Sequence, residues 1–355
     1  MNKRPNKPTL AGIAAELGVS TASVSNALKR PELVSADLRA RVLTVAARVG
    51  YSGPVAASRL LPNGRADTIA VLFTADLPTA LQDPAAVVFL QGLSAVCEGA
   101  GLSLMLVPDL AAQPGARWAA VNDAVVDGFV VYSLRDGDPL LARVLDRGVA
   151  TVVVDAPRTV VGADWVGSDD RAAMRGLGDY LSQLGHRAVG IISPQLNEMR
   201  HNGAAEPLRW RRSGYALMRE RIEGLAEGLG VALDSMPIEE RFDSSVASGA
   251  DAVNALLDRH PSLTAVCALT DVLALGALAG ARQRGIAVPA ELTITGYDDV
   301  PEATLAGLTT VAQPHAEKGR MVGELLVSAG SFATDRRRLL RTHLQIRATS
   351  AAPGG

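Results

Sequence analysis

A small all-α head joined to an α/β body of two doubly wound parallel sheets is the fold that this 355-residue sequence predicts, and three observations carry it. Helical periodicity, broken by short cap and turn signals, runs from Thr9 to Tyr51. From Thr68 onward short apolar runs alternate with helical stretches, the pattern of parallel strands covered on both faces. Charge divides at the same place. Through residue 65 ten Lys or Arg stand against Glu16, Glu32 and Asp37, a surplus of +7, whereas the remainder carries −9.

The head is built in order. Leu10, Ile13, Ala14 and Leu17 recur at helical spacing, Gly18 stops that helix, and Ser20 is placed to cap the next, whose apolar positions are Val24, Ala27 and Leu28. Two short helices across a tight glycine-containing turn make a helix-turn-helix. In that geometry the exposed side chains opening the second helix, Thr21, Ala22, Ser25 and Asn26, face a major groove and are short and polar enough to approach base edges. A further helical stretch, SADLRARVLTVAARVGY, completes a three-helix unit. The basic surplus supplies phosphate attraction, since counterion release provides most non-specific DNA affinity. After it, residues 54–61 have room for about two helical turns before Pro62-Asn63-Gly64 breaks them. So short a helix is marginal alone and forms only when something stabilises it.

These residues resemble the LacI/GalR family of bacterial transcription regulators. The match rests on T-L-x-x-I-A-x-x-L-G-V-S-x-x-S-V-S-N-A-L at 9–28, V-S at 34–35, G-Y at 50–51 and A-A-S-R-L at 56–60. One departure is Gly12, where the family carries an acidic residue that completes a capping box with Thr9. The resemblance implies a hinge helix that pairs with its twin in a dimer and wedges Leu60 into the minor groove, an action that suits the physics of kinked DNA. The expected DNA-facing set is Thr9, Leu10, Ser20, Thr21, Ala22, Ser25, Asn26, Lys29 and Leu60. Residues 1–61 form the expected head and hinge, and 62–355 an effector-binding and dimerisation body of the two-lobed, periplasmic-binding-protein-like type.

Seven runs read as strands of that body: 68–73, 102–107, 128–133, 151–155, 188–193, 264–269 and 292–299. Spread over two halves, they suit two doubly wound lobes with a cleft between, and ligands in such sheets sit beyond the carboxyl ends of the strands. Phe73, Tyr132, Asp155 and Asp271 follow those ends. The family comparison adds that Arg211, three residues before the glycine of R-W-R-R-S-G-Y, and Asp271, in A-L-T-D-V-L-A-L-G, match effector-contacting positions. A guanidinium fork and a carboxylate together bracket adjacent hydroxyls, although each also suits a structural ion pair. Trp165 and Trp210 read equally as a stacking face or as core. V-D-G-F-V-V at 126–131, L-G-H-R-A-V-G-I-I at 184–192, G-Y-D-D at 296–299 and L-T-T-V-A-Q-P at 308–314 extend the resemblance along the body. His186 reads as a helix-ending structural residue, residues 194–208 as a loop near the pocket, and Arg336-Arg337-Arg338 as a solvated loop.

The composition is globular, with 48% apolar and 20% charged residues. No uninterrupted apolar run reaches membrane-spanning length and no apolar core follows the basic N-terminus, so a cytoplasmic protein is expected. Cys97 and Cys267 read as buried thiols, with a disulfide the lesser alternative. There is no P-loop, no G-x-G-x-x-G opening a helix, no H-E-x-x-H and no G-x-S-x-G, and the five histidines lack metal-ligand spacing. Neither an enzyme nor a cofactor is expected. The reading is a dimeric, ligand-responsive DNA-binding repressor controlled by a sugar or related metabolite. Its alternative is a sugar-binding receptor of the solute-uptake type, which shares the two-lobed body but has neither the head nor the need for it.

Overall fold

The computed structural model describes residues 9–29, 33–48, 65–74, 77–108, 114–328 and 336–354. The head has α1 (Leu10–Leu17), α2 (Thr21–Lys29) and α3 (Ala36–Arg48). Thr9 Oγ1 accepts the Gly12 amide at 3.1 Å, so the first helix is capped even without an acidic partner at position 12. Gly18 ends α1 in the left-handed region at φ 66°, and Ser20 Oγ then accepts the Ser23 amide at 3.0 Å. Ile13, Ala14, Val24, Ala27, Val42, Val45 and Ala46 make one small core. An Arg48–Glu16 ion pair ties α3 back to α1. The expected hinge helix, Leu60 and the boundary at 61/62 lie outside the described residues.

The body begins with β1 (Thr68–Leu72), α4 (Leu77–Gln82), α5 (Pro84–Gly99), β2 (Ser103–Val107), α6 (Pro114–Asp123), β3 (Gly128–Tyr132), α7 (Pro139–Leu145), β4 (Ala150–Val154) and β5 (Asp164–Ser168). The chain then crosses to a second lobe through α8 (Asp170–Leu184). There follow β6 (Val189–Ser193), β7 (Gly203–Ala204), α9 (Pro207–Arg211), α10 (Ala216–Leu229) and β8 (Ile238–Glu240). Next come α11 (Val246–Arg259), β9 (Ala265–Ala268), α12 (Asp271–Gln283), β10 (Thr293–Asp298), α13 (Pro301–Leu305) and β11 (Thr309–Ala312). It returns through α14 (His315–Ser328) to β12 (Arg337–Leu340) in the first sheet, and ends with β13 (His343–Gln345) in the second.

Strand order is β12-β5-β4-β3-β1-β2 in one sheet and β13-β11-β10-β9-β6-β8-β7 in the other. Pairing is parallel except at the edges, where β13 runs antiparallel to β11 and β7 to β8. The central strands β4 and β6 are buried throughout, which is why they appear in the sequence as unbroken apolar runs.

Two expectations about irregular segments are corrected. The Arg336-Arg337-Arg338 run leads into β12, an edge strand in which Arg337 stands in register with Trp165 and Arg336 holds Asp164 at 2.8 Å. Charged side chains on an exposed edge discourage further strand pairing. Residues 194–208 include β7 and the start of α9, and Arg209 in α9 reaches the buried Glu240 at 2.5 Å. Both cysteines are free and buried. His186 has the structural role expected: Nδ1 lies 2.9 Å from Thr264 Oγ1 and Nε2 2.8 Å from the Ala351 carbonyl.

One helix contact positions the site. A Cβ on Gly92 would lie 1.9 Å from the Ala316 carbonyl oxygen, and one on Gly319 2.1 Å from that of Phe89. Helices α5 and α14 therefore meet backbone to backbone. This close approach seats the first turn of α14 at the junction of the two lobes.

Candidate functional site

Thr9, Ser20, Thr21 and Ala22 are exposed, Leu10, Ser25 and Asn26 half-buried, and all lie on α1, α2 or their caps. The second helix thus presents short side chains at its start, as a groove-reading helix requires. Leu10 also packs on the head core. Lys29 closes α2, and its side chain lies outside the described residues.

A second constellation sits where the strands of both lobes end. Tyr132 closes β3, its ring 4.8 Å from that of Phe89 and 5.7 Å from that of the buried Phe73. Asp155 follows β4 at φ 60°, and Asp298 closes β10 at φ 120°. Such conformations are costly for residues with a side chain, and here they occur at the ends of strands facing the junction of the lobes. Lys318, 0% exposed on α14, donates to Asp155 Oδ1 at 2.6 Å and to Gln313 Oε1 at 2.5 Å. Gln313 in turn donates through Nε2 to Asp298 Oδ1 at 3.0 Å. His315 Nε2 lies 3.5 Å from the same oxygen. One continuous chain of polar contacts therefore joins Asp155 in the first lobe to Asp298 in the second.

Arg221, on α10, lies over the Tyr297 ring at 3.7 Å and donates to Asp170 Oδ1 at 2.8 Å and to the Leu269 carbonyl at 2.6 Å. Ion pairs also span the lobes: Arg135 to Glu198 at 2.6 Å, Arg219 to Asp136 at 2.9 Å and Arg158 to Glu220 at 2.6 Å.

The electrostatics follow from enclosure. Burial pushes Asp298 up to about 6, against the pull of Arg221 and the Gln313 hydrogen bond. Burial would likewise raise Asp170, but Arg221 overcomes it and holds that carboxyl below its usual value. Burial, with Lys318 beside it, drives His315 down to about 3 and leaves it neutral. The Tyr132 phenol is raised well above its usual value by burial and then by Asp83, Asp155 and Asp298, which places all four groups in one electrostatic neighbourhood. Asp83 caps α5 through the Ala85 amide at 3.0 Å. Desolvation by the surrounding protein and then Asp298 raise it to about 6, against the pull of the Ala85 hydrogen bond and of His315.

Comparison with known proteins relates the head and the body to one family. Residues 9–53 match the model for bacterial regulatory proteins of the LacI family, and residues 179–350 that for a periplasmic binding protein-like domain. An HTH-type transcriptional regulator of Mycobacterium tuberculosis is 42% identical over 351 residues, 98% of either chain. The chain belongs to the LacI family. Among solved structures, a LacI-family regulator from Corynebacterium glutamicum has 34% identity and a TM-score of 0.72, covering 98% of this chain and 99% of that one. A CelR–cellobiose complex has 27% identity and a TM-score of 0.70, covering 96% and 99%. As a LacI-family protein it is a DNA-binding transcriptional regulator with an effector-binding body, not an enzyme.

Within this LacI-family body the structure gathers Phe73, Tyr132 and Asp155 but not the other two expected effector residues. Arg211, at the end of α9, has a side chain 44% exposed, pairs with Asp234 at 2.7 Å and stacks on Trp210 at 5.1 Å. Its guanidinium is held in an outward ion pair. Asp271 is 0% exposed; Oδ1 accepts from Thr310 Oγ1 at 2.6 Å and Oδ2 from the Val300 amide at 2.9 Å. A Cβ on Gly296 would lie 2.1 Å from Asp271 Oδ1, so this carboxyl packs directly beneath β10. Both of its oxygens are committed within the chain. Trp165 and Trp210 are core residues, each 2% exposed.

Sequence reasoning missed Asp298, Gln313, His315, Lys318 and Arg221. A signal was present for two of them. Lys318 falls on the α14 stripe with Val322, Leu325 and Leu326, and Arg221 on the α10 stripe with Met218, Ile222 and Leu225. A cation on a buried apolar stripe requires a buried anion.

Asp298 offers a test of the site's electrostatics. Its folded pKa of about 6 exceeds the unfolded 3.8, so its contribution to stability is complete below the unfolded value and is lost as pH rises through 6. Asp298→Asn is expected to stabilise the body at pH 8 by on the order of 1 kcal/mol or more, seen as a raised melting temperature, and to lose that gain by pH 4. Thermal unfolding across this range checks it, and a gain that grows toward low pH would contradict the assignment.

Proposed function

We propose that this LacI-family regulator is a repressor that works in the cytoplasm as a homodimer, each head taking one half of a pseudo-palindromic operator, with affinity set by a sugar or related metabolite bound between the lobes. The observation that carries the effector site is the polar chain Asp155–Lys318–Gln313–Asp298, which draws hydroxyl-binding groups from both lobes to one point. A ligand bridging such groups binds the closed arrangement better than an open one and so shifts the equilibrium between them. Tyr132, Asp155 and Asp298 are the proposed contacts, with Phe73 and Phe89 backing the Tyr132 ring; Arg211 and Asp271 are assigned structural roles. The cellobiose complex of CelR supports a sugar-like ligand. Thr9, Leu10, Ser20, Thr21, Ala22, Ser25, Asn26 and Lys29 are the proposed major-groove and phosphate contacts, and Leu60 the minor-groove wedge.

Selection of a bound duplex from random DNA by the full chain, followed by fluorescence anisotropy with ribose, glucose and cellobiose, tests the reading. A palindromic site is expected, with affinity shifted about five-fold or more by at least one sugar. Selection of no specific duplex would remove the DNA-binding half of the proposal, and a specific duplex indifferent to every sugar would remove the effector half.

A further inference from the structure

We propose that the cleft selects its ligand by charge, accepting a hydroxyl-rich molecule that is uncharged or carries an amine and rejecting phosphorylated or carboxylated ones. This rests on the reading of the cleft as the effector site and adds to it the class of molecule admitted.

The argument starts from the ionisable groups that converge there. Asp83, Asp155, Asp170 and Asp298 supply four carboxylates, whereas the enclosed cations are Arg221 and Lys318. Both cations are already engaged. Arg221 is held by Asp170 and the Leu269 carbonyl, and Lys318 by Asp155 and Gln313. Among the described residues, neither Asp83 nor Asp298 forms an ion pair with a lysine or arginine. The imidazole of His315 is 6% exposed and has no hydrogen-bond partner on either ring nitrogen among those residues, yet it faces Asp298. A neutral imidazole beside two carboxylates without cationic partners offers acceptors and one adaptable donor, the complement of hydroxyl or amine groups.

The helix ends lead to the same conclusion. An open helix N-terminus is a ready anion site, because its free amides and dipole favour negative charge. Here three such ends are occupied from within the chain. The Asp83 carboxylate accepts the Ala85 amide of α5, the Asp169 carboxylate accepts the Ala172 amide of α8, and Thr270 Oγ1 accepts the Leu273 amide of α12. A phosphate entering the cleft would meet like charge at the α5 end, where Asp83 stands, and among the described residues the enclosed cations Arg221 and Lys318 are both engaged.

Matched probes test the proposal on the full chain at pH 7.5: ribose against ribose 5-phosphate, glucose against glucose 6-phosphate and gluconate, and glucosamine and cellobiose alongside, by calorimetry and thermal shift. At least one neutral or amine-bearing member is expected to bind, and its anionic counterpart at least 100-fold more weakly. Asp298→Asn and, independently, Asp83→Asn are expected to narrow that ratio; an unchanged ratio in both would overturn the proposal. Anionic members binding as well as their parents would overturn charge selection while leaving ligand control intact. If no member of either kind bound, both this inference and the sugar reading of the cleft would fall.

Discussion

Lys318→Met is expected to destabilise the body by about 3–5 kcal/mol, the usual cost of removing one partner from a buried ion pair. The reason is local. Lys318 is fully buried, and its ammonium is the group that holds Asp155 and Gln313 together. Without it Asp155 remains as a buried charge next to Tyr132 and Asp298. Adding Asp155→Asn in the same chain removes that charge and is expected to recover much of the loss, since replacing both members of a pair is far milder than breaking it. Denaturant unfolding of the two single variants and the double variant measures the coupling. Additive losses would show that the pair does not act as a unit.

Removing residues 1–61 is expected to abolish specific operator binding, a loss of at least 10³-fold, while leaving a folded body that still responds to ligand. The basic surplus and the groove-reading helix both lie in that segment, whereas the rest of the chain carries net negative charge and would be repelled by phosphate. Anisotropy against the selected duplex, together with thermal shift of the truncated chain with ligand, decides the matter. Retained operator binding by the truncated chain would move the DNA interface to the body.

How much of this was open to sequence reading depended on whether a residue's surroundings were local. The head was readable because its caps, turn and core recur within 40 residues: Thr9, Gly18 and Ser20 act where they stand. Strands covered on both faces were readable for the same reason. Two of the strands outside the apolar runs, β5 and β8, carry charged residues whose burial is explained by their ion-pair partners. In β5, Asp164 is held by Arg336; in β8, Glu239 is buried against Arg241 and Arg259 and Glu240 against Arg209. The cleft was half readable. Position after a strand places Tyr132 and Asp155 at the junction of the lobes, but it does not separate Asp271 from Asp298. What separates them is the close packing of Asp271 under Gly296 and its two internal donors, which tertiary contacts alone create.

The path of the chain has a further consequence. It passes between the lobes three times, and the last quarter of the sequence alternates ownership: β11 and β13 complete one sheet, α14 and β12 the other. Neither lobe is therefore a contiguous stretch of gene. A frameshift after residue 313 would strip α14 and β12 from one lobe and β13 from the other in a single event. Recombination can exchange a head of this kind for another with one crossover, but it cannot exchange a lobe without several. Exchange of the head against the whole body is thus a single step, whereas one lobe cannot be exchanged without the other in that way.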